Sequence, residues 1–241
     1  MKFRELSILD AATIPAVMDA LHSPNPVVML QMPAVYVLLA PATKKGVEAL
    51  NHCKSRLPQK NYGSAIGEVG AFHALAAAGA LPEELDAPAA LEQMTGAFVR
   101  FAIGQPDFNS AAVRCGTHQG VLVEGPHREL FKAIEQRFAH KADRSLFCGH
   151  TYTAPLCTSA NLSGDPLGSI TDWARAQQFA TARQFSLVIR CEPAADESGS
   201  YPIFYFQGDQ ATIERHGPGE YEIMERLPQR LFAEAMRSVA A

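Results

Sequence analysis

Residues 154–166, A-P-L-C-T-S-A-N-L-S-G-D-P, say most about the fold and the chemistry of this sequence. A short apolar run of β character ends in a cluster of small hydroxyls and one amide, supplied by Thr158, Ser159, Asn161 and Ser163. The glycine that follows allows a backbone conformation that other residues resist. The pattern predicts a strand, a polar turn and a helix, which together suit a polar or anionic ligand. An ordinary Ser/Asn turn between a strand and a helix is the alternative interpretation.

The helix after this turn is expected to open at Ser169, because Asp172 follows three residues later in capping-box spacing. Its apolar periodicity is expected to run over residues 171–179.

Composition describes a globular chain with no overall attraction for nucleic acid. Of its 241 residues, 47% are hydrophobic and 19% charged, and the formal net charge is −4. A nucleic-acid contact would need a local basic patch, and Lys54, Arg56 and Lys60 form the compact one. The alternative is a solvated helix end, where cations suit the helix dipole.

Cysteine usage indicates a reducing compartment, so a cytoplasmic location is expected. The five cysteines are an odd number, and no C-x-x-C pair occurs. Two Cys/His pairs, Cys115 with His118 and Cys148 with His150, match no standard zinc spacing. No metal site is therefore predicted, and buried thiols and loop imidazoles are the simpler interpretation.

No membrane association is expected. The most apolar run, residues 27–42, is interrupted by Gln31, Pro33 and Pro41 and is too short to span a bilayer. Two buried strands with a bend at Pro33 explain it better. The charged N-terminus also lacks the apolar region of a signal peptide.

Hydrophobic periodicity predicts intermixed strands and helices. Helices are expected over residues 9–21, 41–54, 126–139, 171–179 and 229–239, with two more in the alanine-rich segment 70–94. Strands are expected over residues 27–30, 35–39, 64–69, 97–103, 111–115, 156–158, 186–190, 202–206 and 211–215. This order favours a single mixed α/β domain over residues 1–241, with a twisted mixed sheet and flanking helices.

The common signatures of nucleotide binding and hydrolysis are missing from the sequence. It holds no G-x-x-x-x-G-K-[ST], no G-x-S-x-G and no H-E-x-x-H, and no G-x-G-x-x-G follows a strand. A nucleotide would therefore be held by Lys and Arg at its phosphates, with hydroxyls and backbone N–H groups orienting it.

Several segments, in order along the chain, resemble one family. The run 158–164, T-S-A-N-L-S-G, is similar to the T-S-A-N-x-S-G signature of YrdC-like threonylcarbamoyl-AMP synthases. Residues 54–56 with Lys60 resemble the family's K-x-R segment, and residues 112–114 resemble its A-V-R strand. His127 lies near the start of the next helix, and residues 213–217 resemble the closing strand. The resemblance covers about residues 24–217.

The resemblance implies a single α/β domain with a large concave cavity lined by positive charge. It implies an enzyme that combines L-threonine, bicarbonate and ATP, the latter with Mg²⁺, into threonylcarbamoyl-adenylate and releases pyrophosphate. The product serves tRNA modification, and double-stranded RNA or tRNA is an implied partner.

The resemblance also implies roles for single residues. Lys54 and Arg56 would be the catalytic cations at the phosphates, and Ser159 and Asn161 would hold the nucleotide and the carbamate. Arg114 would line the same cavity. The remaining implied nucleotide- and substrate-binding residues are Lys60, Thr158, Ser163, Arg215 and Tyr36.

The amino-acid end of the resemblance departs from the family pattern. Alignment on Tyr36 places Met32 and Ala34 where the family P-T-[DE]-T-x-Y-G-L has threonines, and Pro33 where it has an acid. The late P-S-T segment is here 200–204, S-Y-P-I-F, so a serine facing the nucleotide is not expected. Either the amine substrate differs from threonine, or the fold binds RNA or a nucleotide without this catalysis. The lost hydroxyls predict that threonine is a poor substrate.

Overall fold

The computed structural model describes residues 3–57, 60–191 and 198–232, and its strands form one mixed sheet. The order across the sheet is β1-β8-β2-β3-β7-β4-β6-β5-β9-β10. The strands are β1 Arg4–Ser7, β2 Val28–Gln31, β3 Tyr36–Ala40, β4 Gly63–Ile66, β5 Phe98–Ala102, β6 Thr117–Leu122, β7 Leu156–Ser159, β8 Leu187–Arg190, β9 Ile203–Gln207 and β10 Gln210–Arg215.

Helices are interspersed among these strands along the chain. They are α1 Thr13–His22, α2 Lys44–Lys54, α3 Val69–His73, α4 Pro88–Leu91, α5 Gly125–Phe138, α6 Trp173–Ala182 and α7 Glu220–Arg226. The predicted mixed α/β fold with flanking helices is confirmed. Among the described residues, no helix has the length and apolar character needed to cross a bilayer.

The sheet separates two apolar cores. One contains apolar side chains of α2, α3, α6 and α7, and the other contains those of α1 and α5. Strand β3 shows the alternation, because Tyr36 and Leu38 pack into the first core, whereas Val37 and Leu39 pack into the second. Residues two apart on a strand therefore share a face.

The centre of the sheet brings distant polar segments together. Strand β7 pairs antiparallel with both β3 and β4, with Ser159 opposite Val37 and Cys157 opposite Gly63. The polar turn after β7 thus leaves the sheet at its middle, beside the start of β3. This placement fixes where a ligand can meet the turn.

Helix α2 delivers the cationic segment to the same region. Thr43 caps its N-terminus, with Oγ1 accepting a hydrogen bond from the Gly46 N–H at 3.2 Å. The helix ends at Lys54, and Ser55 takes a left-handed conformation with φ 47°. Arg56 follows that turn and therefore lies beyond the end of the helix.

The strand predicted over 111–115 is wrong, and the real strand β6 begins at Thr117. The Ser110 hydroxyl accepts hydrogen bonds from the N–H groups of Ala112 and Val113, at 3.1 and 3.0 Å, which folds this segment into a turn. Cys115, at φ 49°, continues the turn. Of the predicted strand, Arg114 keeps one isolated bridge to Thr117.

The alanine-rich segment 70–94 forms short helical pieces instead of two helices. Helices α3 and α4 have five and four residues, and 3-10 turns occupy Glu83–Leu85 and Glu92–Met94. Gly79, at φ 70°, and the prolines of this segment interrupt the helical run.

Helix α6 begins later than predicted. Asp172, not Ser169, is its N-cap, and its carboxylate accepts from the Arg175 N–H at 2.9 Å. The Ser169 hydroxyl instead bonds to the hydroxyl of Ser200 at 2.6 Å. Of the helix predicted over 229–239, Gln229–Phe232 is a 3-10 turn and the rest lies outside the described residues.

Candidate functional site

A cavity of about 680 Å³ opens where β3, β7, β5 and β10 approach the end of α2. Nine of the ten residues proposed from sequence line it: Lys54, Arg56, Lys60, Arg114, Thr158, Ser159, Asn161, Ser163 and Arg215. Segments separated by more than 100 positions thus meet in one space. Their roles in binding or catalysis remain predictions.

The polar turn after β7 forms one wall of the cavity. The Ser159 hydroxyl donates to Asn161 Oδ1 at 2.6 Å, and Asn161 Nδ2 donates to the Leu162 carbonyl at 3.0 Å. Gly164 follows the turn in the left-handed conformation that favours glycine, with φ 84°. Ser163 Oγ is buried and has no hydrogen-bond partner among the described residues. An orphaned hydroxyl in a cavity wall is suited to a ligand.

Lys54 reaches this wall from the far side. The residue is 2% exposed, and its ammonium donates to the carbonyls of Ser159 and Asn161, the latter at 2.8 Å, and to Asn161 Oδ1 at 3.2 Å. Burial, with the nearby charges of Arg56 and Lys60, lowers the pKa of Lys54 to about 7. The ammonium that was expected to contact phosphate is therefore engaged with the protein.

Arg56 is also held in place by the protein. Its guanidinium donates to the carbonyls of Lys60, at 3.1 Å, and Asn61, and to the Thr158 hydroxyl at 3.3 Å. It lies over the Tyr62 ring, with the guanidinium carbon 4.2 Å from the ring centroid. Burial lowers its pKa. These contacts fix the guanidinium at the cavity wall.

The part of the cavity formed by β5 and β10 carries Arg100 and Glu214, which were not predicted from the sequence, beside the predicted Arg215. Arg100 on β5 donates to Thr117 Oγ1 and to Glu214, both at 2.8 Å. Arg215 donates twice to the Tyr201 carbonyl, at 2.9 and 2.6 Å. A charged residue inside the otherwise apolar run 97–103 was the available signal for Arg100. Thr117, Gln119 and Ser200 also line the cavity without having been predicted.

Two further cations stand at the cavity without protein side-chain partners. Lys60 and Arg114 are exposed, and among the described residues neither side chain makes a hydrogen bond or ion pair. They differ in this from Lys54, Arg56 and Arg215. Their donors are available to a ligand.

The cavity is cationic although the whole chain is acidic. Among the described residues, six Lys and Arg side chains line it, namely Lys54, Arg56, Lys60, Arg100, Arg114 and Arg215. Glu214 is the one carboxylate among the described lining residues, and Arg100 pairs with it. Such a concentration of positive charge favours a polyanion.

One side of the cavity is apolar. Met32, Val35, Val37 and Cys157 line it, and each is at most 4% exposed. Ala34 is buried in the core and does not line the cavity. The cavity thus joins a cationic region to an apolar one.

Tyr36, the tenth proposed residue, does not reach the cavity. It is 1% exposed and packs in the core beneath α2 and α6, with its ring 6.2 Å from that of Trp173. The alternation along β3 sends Val35 and Val37 to the cavity and Tyr36 to the opposite face. His127 is likewise buried, and its Nε2 bonds to the Gln31 carbonyl at 2.9 Å.

Solved structures share this fold. P. abyssi Sua5 complexed with L-threonine matches with TM-score 0.63 and 15% identity over 94% of this chain and 61% of that one. E. coli YciO matches with TM-score 0.62 and 11% identity over 92% and 98%. Full-length HypF in its phosphate- and nucleotide-bound form matches with TM-score 0.59 and 15% identity over 84% and 28%.

The likeness is one of fold. No protein-family profile matches this sequence, and no curated protein sequence matches it either. The chain spans a little over three fifths of the Sua5 structures it resembles. The fold expected from the YrdC-like resemblance is therefore confirmed. An inference about the substrate and the reaction depends on the residues of the cavity.

Proposed function

We propose that this protein binds ATP in the cationic cavity and converts the carbamate of an amine into its adenylate. The observation that carries the proposal is the meeting of the turn 158–163 with six cations in one cavity of about 680 Å³. A nucleotide triphosphate supplies the polyanion that such a cavity favours. The nucleotide-bound state of HypF and the threonine complex of Sua5, proteins of the same fold, support this choice of ligands.

The proposed reaction has two steps. The amine first adds to bicarbonate, forming a carbamate and releasing water. A carbamate oxygen then attacks the α-phosphorus of ATP, so that an oxygen–phosphorus bond forms and the bond to the β-phosphate breaks, releasing pyrophosphate. Negative charge builds on the phosphates during the second step, and fixed cations lower its energy. The protein needs no covalent nucleophile for this chemistry.

Mg²⁺ is expected to enter with ATP. Magnesium in nucleotide sites is usually held by phosphate oxygens, waters and one or two carboxylates. The described lining offers Glu214 alone, and that carboxylate already accepts from Arg100 at 2.8 Å. The residues therefore fit a metal carried by the nucleotide better than one held by the protein alone, and the metal would screen phosphate charge.

The amine is proposed to carry an apolar side chain. Met32, Val35 and Val37 give the cavity an apolar wall beside its cationic region. None of these side chains can bond to a substrate hydroxyl, so a threonine side chain would gain little from this wall. A site of this kind accepts a valine-like side chain more readily than a hydroxylated one.

A binding protein without catalysis is the second candidate. The observation that favours it is that Met32 lines the cavity at a position where the family pattern has a threonine, so a hydroxyl that would hold the amino acid is missing. The exposed Lys60 and Arg114 at the cavity would then contact the phosphates of a nucleotide or of RNA. This candidate predicts ligand binding with no bond made or broken.

Pyrophosphate release separates the two candidates. Wild-type protein is incubated with ATP, Mg²⁺, bicarbonate and single amino acids, and pyrophosphate is measured over time. The enzyme proposal predicts release that needs both bicarbonate and an amine, fastest with apolar amino acids. Retained ATP binding with no release for any amine would support the binding protein instead.

A further inference from the structure

Lys54 differs from the other cations of the cavity in how its charge is used. Its ammonium has three N–H donors, and the structure gives it three oxygen acceptors, all from residues 159 and 161. Among the described residues it has no carboxylate partner. All of its hydrogen-bonding capacity is directed at the polar turn.

The backbone of Lys54 holds the same turn. Its carbonyl accepts the Ser163 N–H at 3.0 Å. One residue at the end of α2 thus fixes the turn at its start through the ammonium and at its end through the carbonyl. The two contacts span the segment that presents Ser159, Asn161 and Ser163 to the cavity.

The ammonium also sets the orientation of the Asn161 amide. An oxygen must face three N–H donors, so Asn161 Oδ1 is directed toward Lys54, and Nδ2 toward the Leu162 carbonyl. Oδ1 then accepts the Ser159 hydroxyl at 2.6 Å. The rotation of that hydroxyl is therefore linked to Lys54 through one amide.

We propose that Lys54 is a positioning residue that shapes the Ser159–Ser163 turn for its ligand, and that phosphate is contacted by other cations of the cavity. The inference rests on the proposed ATP site. Lys60 and Arg114, whose side chains are exposed at the cavity, are the cations left to meet phosphate. The role assigned to Lys54 by resemblance passes to them.

Conservative replacement distinguishes positioning from phosphate contact. Arginine binds phosphate as well as lysine does, but its planar fork cannot replace a compact ammonium among three converging oxygens. MgATP binding is measured by calorimetry, without amine or bicarbonate, for Lys54→Met, Lys54→Arg, Lys60→Met and Lys60→Arg. We expect about tenfold or greater weakening in both Lys54 variants. Lys60→Met should weaken binding, and Lys60→Arg should restore it. Restoration by Lys54→Arg would overturn the inference.

A double-mutant cycle with Asn161 tests the linkage. If Lys54 acts through the turn, Lys54→Met combined with Asn161→Ala should weaken MgATP binding no more than about twofold beyond the stronger single variant. Losses that multiply would show independent contacts and contradict the inference. Melting temperatures of all variants show that the folded state is being compared.

A wild-type crystal structure with a non-hydrolysable ATP analogue answers the same question without variants. The inference predicts that the ammonium keeps its three protein acceptors and lies beyond hydrogen-bonding distance of every phosphate oxygen. A direct bond from Lys54 to phosphate would overturn it.

If the wild type binds no ATP, the proposed function fails. Hydrogen exchange at the Ser163 amide, faster in Lys54→Met than in Lys60→Met, then still tests positioning, and equal exchange would refute it.

Discussion

The arginines of this cavity differ in whether their N–H donors are already bonded to the protein. Arg56 and Arg215 donate hydrogen bonds to backbone carbonyls, whereas Arg114 is exposed and its side chain has no partner among the described residues. A fixed guanidinium contributes charge and shape, and a free one can bond directly to phosphate. Substituting the free arginine should therefore weaken ligand binding with little loss of stability, whereas substituting a fixed arginine should lower both.

We expect Arg114→Ala to weaken ATP binding with little change in stability. A charge-assisted hydrogen bond to phosphate is worth roughly 1.5–3 kcal/mol, so the dissociation constant should rise about tenfold or more. Arg56→Ala should weaken ATP binding and also lower the melting temperature, because Lys60, Asn61 and Thr158 lose their donor. Calorimetry and thermal unfolding on both variants test this contrast, and equal melting losses would contradict it.

The buried ammonium of Lys54 should give a pH-dependent stability. Its folded pKa of about 7 lies below the ordinary value of about 10.4, so between these limits the unfolded chain binds more protons. Stability from this group therefore rises with pH through that window, by at most about 1.4 kcal/mol per pH unit. Urea unfolding of wild type and Lys54→Met at pH 6.5 and 9 should show the wild type gaining relative to the variant. Parallel changes would mean that the ammonium is not perturbed.

The apolar wall should determine the amine that is accepted. If Met32 faces the substrate side chain, Met32→Thr adds a hydroxyl and should shift the threonine-to-valine ratio of pyrophosphate release toward threonine. A single neutral hydrogen bond supports a change of about two- to tenfold. The wild type should prefer valine. Wild-type turnover selective for threonine would refute the assignment of this wall.

Secondary-structure elements position these residues through their ends. Helix α6 begins at Asp172, whose carboxylate caps the Arg175 N–H. Asp172→Ala should cost about 0.5–2 kcal/mol of unfolding free energy, whereas Asp172→Asn, which keeps an acceptor, should cost less. Chemical denaturation of both variants measures the difference. Equal losses would show that the cap is not what holds the helix start.

Elements with regular periodicity could be predicted from the sequence, and those governed by local side-chain bonds could not. Helix α2 and strands β2, β3 and β7 lie within a few residues of their expected bounds. The segment 111–115 has strand-like composition, but the Ser110 hydroxyl captures two of its N–H groups and turns it. The Ser110 hydroxyl in turn donates to the Leu146 carbonyl, 36 residues away in the sequence. Whether segment 111–115 forms a strand or a turn therefore depends on a contact that the local sequence does not contain.

The same limit applies to the candidate site. Sequence motifs identified nine lining residues, because the polar turn and the K-x-R segment are local patterns. Tyr36 lies outside the cavity because the alternation along β3 directs Val35 and Val37 to the cavity and Tyr36 to the opposite face. Arg100 and Glu214 were missed because their proximity arises from the β5-β9-β10 arrangement of the sheet. Which cations bond to the protein and which remain available to a ligand depends on their contacts, and a sequence motif does not contain that information.

Across the whole molecule, the sheet brings a cationic wall and an apolar wall to one cavity in a chain of net charge −4. Charge concentrated in this way favours a polyanion. The joining of the two walls suits a reaction between a nucleotide and a small amine. In the proposed function, the cationic wall holds the nucleotide and the apolar wall holds the side chain of the amine.

Carbon-labelled bicarbonate tests the central claim most directly. Wild-type protein is incubated with ATP, Mg²⁺, ¹³C-bicarbonate and single amino acids that include valine, and the products are analysed by mass spectrometry. The proposed reaction predicts a carbamoyl-adenylate that carries one ¹³C, formed in equal amount with pyrophosphate and absent when bicarbonate or the amine is left out. Bound ATP that stays intact with every amine, or pyrophosphate released without ¹³C in an adenylate, would contradict it.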